Sequence, residues 1–72
     1  MARTQSVSPT PDDIRAARDS VGLNQTEAAA LIDHSRNSWA KYEGGARAMP
    51  AILWQVWRIR AGLDKPAAIF KR

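Results

Sequence analysis

Cysteine is absent from the 72-residue chain, which removes disulfides and thiolate chemistry and leaves redox compartment unreadable. Histidine occurs once, as His34, with no cysteine to help it hold a metal. No run of 18 apolar residues exists, so no segment spans a membrane, and the polar opening MARTQSVSPTPDD lacks the apolar stretch of a secretory leader. Internal repeats and low-complexity tracts are missing too. A chain this short buries only about 60% of the surface its unfolded form exposes. That leaves little room for a deep active site, a second domain or a cofactor fold, and no small-molecule ligand is expected. No nucleophile–base pair stands out either, since Asp12 and Asp13 fall at a helix start and Asp33 in a turn. The expectation is a non-enzyme without cofactor or metal, soluble and cytoplasmic.

Charge is what the chain does have. Eleven Lys and Arg stand against seven Asp and Glu, a net of +4, with an isoelectric point near 10.4. Residues 1–35 hold three basic and five acidic side chains, whereas residues 36–72 hold eight basic and two acidic. A chain polarised in this way presents a basic half to polyanions, unless that half is only a solvated surface.

Punctuation divides the chain into an arm (1–9), a domain (10–62) and a short tail (63–72). Thr10 is suited to cap a helix from Pro11 to Val21, with Asp12 and Asp13 at the positive end of its dipole and Gly22 as its stop. Ile14, Ala17, Arg18 and Val21 then form its inward stripe. Asn24 and Glu27 make a capping-box pattern for a second helix, Gln25 to Ile32, whose Ala28 and Ala29 let another helix come close. Ser35 caps a third, Arg36 to Glu43, ended by Gly44-Gly45. The fourth runs from Pro50 to Ala61. On it, Ile52, Leu53, Val56 and Ile59 cluster in angle as a core stripe, and Trp54, Trp57 and Ala61 form an adjacent seam. Pro66 breaks any continuation, and the tail is either a helical turn or an extended strand. No strand pattern appears elsewhere, so the chain reads as an all-α bundle of four to five helices.

Two short helices joined by a tight turn, inside a small basic bundle, describe a helix-turn-helix. The stretch NQTEAAALIDHSRNSWAKYEGG, Asn24 to Gly45, resembles that motif in the Cro/CI-type (XRE) family of phage repressors. Gln25 matches the family's Gln at the second helix's start, and Ala29 its small residue at the helix crossing. Ser35-Arg36 open the recognition helix, and Trp39, Tyr42 and Glu43 take its apolar, aromatic and acidic positions. The likeness extends from about Ile14 to Ala61. It departs at the turn, where Asp33 replaces the usual Gly and His34 the usual buried aliphatic. Asp is among the few residues besides Gly that tolerate positive φ, and His34 is expected to half-bury its ring and bond to backbone.

The resemblance implies a lambda-repressor-like fold and a homodimeric DNA-binding transcriptional repressor, of the size often encoded by phages, that reads a palindromic operator in the nucleoid. At 100° per residue, Trp39, Tyr42 and Glu43 share one side of the third helix, with Asn37 and Lys41 opposite and Arg36 and Ala40 flanking. Any exposed helix shows a polar face; the motif is what assigns this one to bases. Arg36, Asn37 and Lys41, with Ser38 in support, are the expected base readers: Arg or Lys toward guanine, Asn toward adenine, and Ala40 near a thymine methyl. Gln25, Ser35 and Arg47 are carried over as phosphate contacts. Arg18 and Glu43 correspond to the ion pair that ties the first helix to the third in family members. Trp54, Trp57 and Ala61 either cover the chain's own core or form a dimer interface, and the latter is the expectation adopted, with the tail as a further possible contact. Two other roles compete: a protein-interaction module, antitoxin-like or polymerase-contacting, using the tryptophan seam, and RNA binding by the basic face.

Overall fold

The computed structural model describes residues 8–64. Four helices follow one another: α1 (Pro11–Ser20), α2 (Gln25–Ala30), α3 (Arg36–Gly44) and α4 (Ala51–Arg60). No strand occurs among the described residues, so the all-α expectation holds. Most of the arm, and the tail beyond Asp64, lie outside the described residues.

Side-chain caps set where three of these helices begin. Thr10 Oγ1 accepts the Asp13 N–H at 3.0 Å, and the Asp13 carboxylate accepts the Thr10 N–H at 3.1 Å. Asn24 and Glu27 make the same reciprocal pair at 2.7 and 3.0 Å, and Ser35 Oγ accepts the Ser38 N–H at 3.1 Å. Each cap stabilises its helix by about 1 kcal/mol. For a helix as short as the six residues of α2, unstable alone, that contribution matters most. Pro50, expected as the first helical residue of α4, is instead its N-cap, with extended backbone at ψ 143°.

The turn between α2 and α3 closes by the same pair of backbone bonds that end α1 and α4. The His34 N–H reaches the Ala29 carbonyl at 2.9 Å and the Asp33 N–H reaches Ala30 at 3.2 Å, just as Leu23 and Gly22 bond back to Arg18 and Asp19. That closure needs a left-handed residue. Gly22 supplies it for α1 at φ 73°, and Asp33 supplies it here at φ 57°. The last turn of α2 tightens to i→i−3 bonds at Leu31 and Ile32, so the helix stops at Ala30 rather than Ile32.

Around this turn the core assembles from Ile14, Ala17, Ala28, Ala29, Ile32, Trp39, Tyr42, Met49 and Trp57. Here the expected phase of α4 is corrected in part: Leu53 and Val56 pack against the core as expected, but Trp57 takes the innermost position. Trp57 is completely buried, while Ile52, placed inward by its pattern, is 73% exposed. An indole is the largest apolar surface available, and its N–H needs an acceptor once buried. Trp57 finds one in the Ala28 carbonyl, 3.0 Å away, reached because Ala28 and Ala29 are small. Its ring also meets Trp39 at 5.2 Å between centroids. Trp54 stacks on Trp57 at 5.6 Å with planes 4° apart, and Ala61 packs on the same cluster. The seam expected to meet a partner therefore covers the chain's own core.

Truncation should separate the two faces of α4. Trp57→Ala is expected to cost about 3–5 kcal/mol, a large share of the 5–15 kcal/mol typical of a folded domain. Ile52→Ala should stay within about 0.5 kcal/mol of wild type. Urea unfolding followed by circular dichroism checks both; equal losses would contradict the orientation of α4.

Candidate nucleic-acid interface

The site begins with a carboxylate that faces inward. Glu43 is 6% exposed, yet its two oxygens accept hydrogen bonds from side chains on three helices. Arg18 of α1 donates through both Nε and Nη2, the latter at 3.2 Å. Gln25 of α2 donates through Nε2 at 3.2 Å, and Trp39 of α3 itself donates its indole N–H. Arg18 also donates to the Leu23 carbonyl at 2.9 Å, so the same guanidinium holds the α1–α2 loop. The expected Arg18–Glu43 pair is thus present, extended by two donors that the sequence pattern did not reveal.

Burial pushes the Glu43 carboxyl upward, but the hydrogen bonds from Arg18, Trp39 and Gln25 and the Arg18 charge outweigh it. The net effect holds it below its ordinary value. Arg18 is raised, chiefly by its hydrogen bond to Glu43. Asp64 is likewise lowered, first by its hydrogen bond from Arg58, whose Nε lies 2.8 Å away, although that pair is more open to solvent.

With Trp39, Tyr42 and Glu43 buried, the opposite side of α3 faces out. Arg36, Asn37 and Lys41 are exposed there, with Ser38 and Ala40 half-buried at its edges. The cations of the described residues fall into two groups. Arg15 pairs with Asp12, Arg18 with Glu43 and Arg58 with Asp64, and Arg60 donates to the Leu31 carbonyl at 2.7 Å. Among the described residues, Arg36, Lys41 and Arg47 pair with no carboxylate. All three lie on α3 or just after it. The Arg47 backbone N–H bonds the Lys41 carbonyl at 3.2 Å, which folds this exposed loop back over the end of α3. Gly45 turns the chain there at φ 85°.

The other expected phosphate contacts are more committed. Ser35 is exposed, but its hydroxyl accepts the Ser38 N–H and donates to Ser38 Oγ at 3.3 Å. Gln25 is half-buried against Glu43. His34 half-buries its ring as expected: Nδ1 bonds the Ile32 carbonyl at 2.8 Å, and Tyr42 Oη lies 3.3 Å from Nε2. Because a carbonyl only accepts, Nδ1 carries the proton and Nε2 takes the tyrosine hydroxyl. Among the described residues no His, Asp and Glu gather as metal ligands, and no helix is long and apolar enough to cross a membrane.

Neither a family model nor a curated protein matches the chain.

Stability should depend on pH with a definite sign. Glu43 binds its proton less readily folded than unfolded, so its contribution is complete above the ordinary carboxylate range. It is lost as pH falls through the lowered folded value. Thermal melts from neutral to acid pH should show wild type losing stability on acidification. Glu43→Gln should start less stable at neutral pH and slope less, keeping only the weaker dependence from Asp64. An unchanged acid slope in Glu43→Gln would contradict the hub.

Proposed function

We propose that the chain is a sequence-specific double-stranded-DNA-binding transcriptional regulator. It acts as a homodimeric repressor that occludes a promoter from the nucleoid of the cytoplasm. One observation carries this reading: α3 is locked by its inward side, through Glu43 and Trp39, so that Arg36, Asn37 and Lys41 stand together on its outward side without an acidic partner. That combination suits a helix-turn-helix in which α3 enters the major groove. Such a helix must be held rigidly while its donors remain unspent, because each contact to a base edge requires fixed direction. Ala40, half-buried between them, adds a small apolar surface of the size a thymine methyl needs.

Phosphate contacts in this mechanism come chiefly from Arg47, exposed on the loop that folds over the end of α3. Gln25 and Ser35 serve as orienting groups, each already holding part of the α2–α3 unit, and contact phosphate from that fixed position. The basic C-terminal half supplies the long-range attraction, and the acidic groups nearest the reading helix are spent internally or lie in the turn. The reading as a protein-interaction module is less favoured, since Trp57 is buried and Trp54 and Ala61, half-buried, pack against the chain's own core. RNA reading lacks an exposed aromatic platform: among the described residues, Trp39, Tyr42 and Trp57 are buried and Trp54 is stacked.

A duplex enriched from a random library, titrated beside its scrambled form at fixed salt, tests the assignment. Asn37→Ala should lower specific affinity by about one to two orders of magnitude and leave the scrambled duplex nearly unaffected. Arg36→Ala should lower both, having removed a charge as well as a reader. Arg47→Ala should weaken all sequences alike and flatten the log K against log salt slope by about 0.9. Wild-type specificity retained by Asn37→Ala and Arg36→Ala together would overturn α3 as the reader.

A further inference from the structure

His34 stands where the motif usually carries a buried aliphatic side chain, a role that needs no hydrogen bonds. The imidazole makes two. Its Nδ1–H donates to the Ile32 carbonyl at 2.8 Å, just past α2, and its Nε2 takes the Tyr42 hydroxyl of α3 at 3.3 Å. The two rings lie 5.9 Å apart. The backbone N–H of the same residue bonds back to Ala29, and the next residue, Ser35, is the N-cap of α3. One side chain thus bridges the end of α2 to the inward side of α3, at the point where α3 begins.

This bridge exists in one protonation state. It needs a donor at one nitrogen and an acceptor at the other, which only the neutral imidazole offers. A proton added at Nε2 makes both nitrogens donors, and the Tyr42 O–H loses its acceptor. Tyr42 is 3% exposed, and no other group of the described residues accepts that proton. His34 is only half-buried, so its ring has solvent to move into. The added charge also stands directly before the N-cap Ser35, where the positive end of the α3 dipole repels it. The charged groups around the turn are otherwise occupied or open to water. Asp33 and Arg36 are exposed, Arg60 of α4 is bound to the Leu31 carbonyl, Lys41 faces out, and Glu43 is held by Arg18. None of them pairs with the ring.

We propose that neutral His34 is a positioning residue for the leading end of α3, and that protonating it releases that end and blunts discrimination between DNA sequences. The DNA step rests on the proposed function; the release does not. Arg36 and Asn37 open α3, so looseness there falls on the expected base readers and leaves Arg47, on the following loop, in place. A base contact depends on fixed direction, whereas attraction to phosphate does not. Acid therefore acts in two opposed ways. The added charge favours binding to any duplex, and the lost alignment removes the advantage of the specific one. A histidine acting only as a charge would strengthen binding to both duplexes alike.

The test titrates the full chain with the enriched duplex and its scrambled form from about pH 8 to about pH 5.5, across the ordinary histidine range. His34 is the only histidine of the chain. In wild type the ratio of specific to scrambled affinity should fall about three- to tenfold toward acid, the range one ordinary hydrogen bond supports. The scrambled affinity should hold or rise. His34→Gln retains every other titrating group, and its amide offers a donor and an acceptor with no proton to gain, so its ratio should not change with pH. Tyr42→Phe should start from a lowered ratio at the alkaline end and fall little further. Amide hydrogen exchange without DNA reads the release itself. The Ser38 and Trp39 N–H groups, both bonded to Ser35, should be less protected in wild type than in His34→Gln at the acid end and equally protected at the alkaline end. Equal protection at both ends, or a ratio that falls alike in wild type and His34→Gln, overturns the proposal and leaves the proposed function standing. No preference between the duplexes at any pH defeats the proposed function and the DNA step with it, while the exchange result still decides the release.

Discussion

Glu43 is the point at which this small domain is held together. One buried carboxylate draws N–H donors from α1, α2 and α3, and the geometry of each donor fixes the helix that carries it. Burying a charge is costly, and the cost is met only because the guanidinium of Arg18 and two neutral donors surround it. Removing the carboxylate would leave Arg18, at 16% side-chain exposure, with only the Leu23 carbonyl and the exposed Asp19 carboxylate, an imbalance of the kind that destabilises by up to about 3–5 kcal/mol. Apolar contacts alone would let α3 rotate or slide by small amounts at modest cost. Directional bonds to Arg18, Gln25 and Trp39 do not. The consequence appears on the opposite side of α3, where Arg36, Asn37 and Lys41 are held outward by a constraint that none of them contributes to.

A second division of labour concerns charge. The acidic residues Asp12, Asp13, Glu27, Glu43 and Asp64 all cap or pair within the chain. Arg15, Arg18, Arg58 and Arg60 are spent the same way. The cations without such partners among the described residues gather at α3 and its following loop. Among the described residues, Arg36, Lys41 and Arg47 thereby bring their charge to one region of the molecule, as the proposed polyanion partner requires.

Much of this was legible in the residues. The caps at Thr10, Asn24 and Ser35, the positive φ of Asp33, the backbone bond of His34 and the Arg18–Glu43 pair all follow from local chemistry. In each case a short polar side chain, or a charge on an inward stripe, has few stable options. The phase of α4 was not legible. Ile52, Leu53, Trp54, Val56, Trp57 and Ile59 ring most of the helix, so hydrophobic angle does not choose an inward side. The choice is made by Trp57, whose indole needs both a large cavity and an acceptor; the acceptor comes from α2 and a neighbouring ring from α3, both far away in sequence. Burial of Met49 was missed for a related reason: it lies in a loop, where no periodicity marks it. The Gln25 and Trp39 bonds to Glu43 depend on how three helices meet, which spacing within one helix does not encode.

The central claim is that the outward side of α3 meets DNA while its inward side stays fixed. An amide nitrogen–proton NMR titration of the labelled protein with an enriched duplex tests it most directly. The account predicts shift changes concentrated from Ser35 to Lys41 and at Arg47. The indole N–H signals of Trp39 and Trp57 should hold their free-state positions, because both are committed to internal acceptors. Perturbation confined to α1 or α4, or displacement of the Trp39 indole signal on binding, would contradict it.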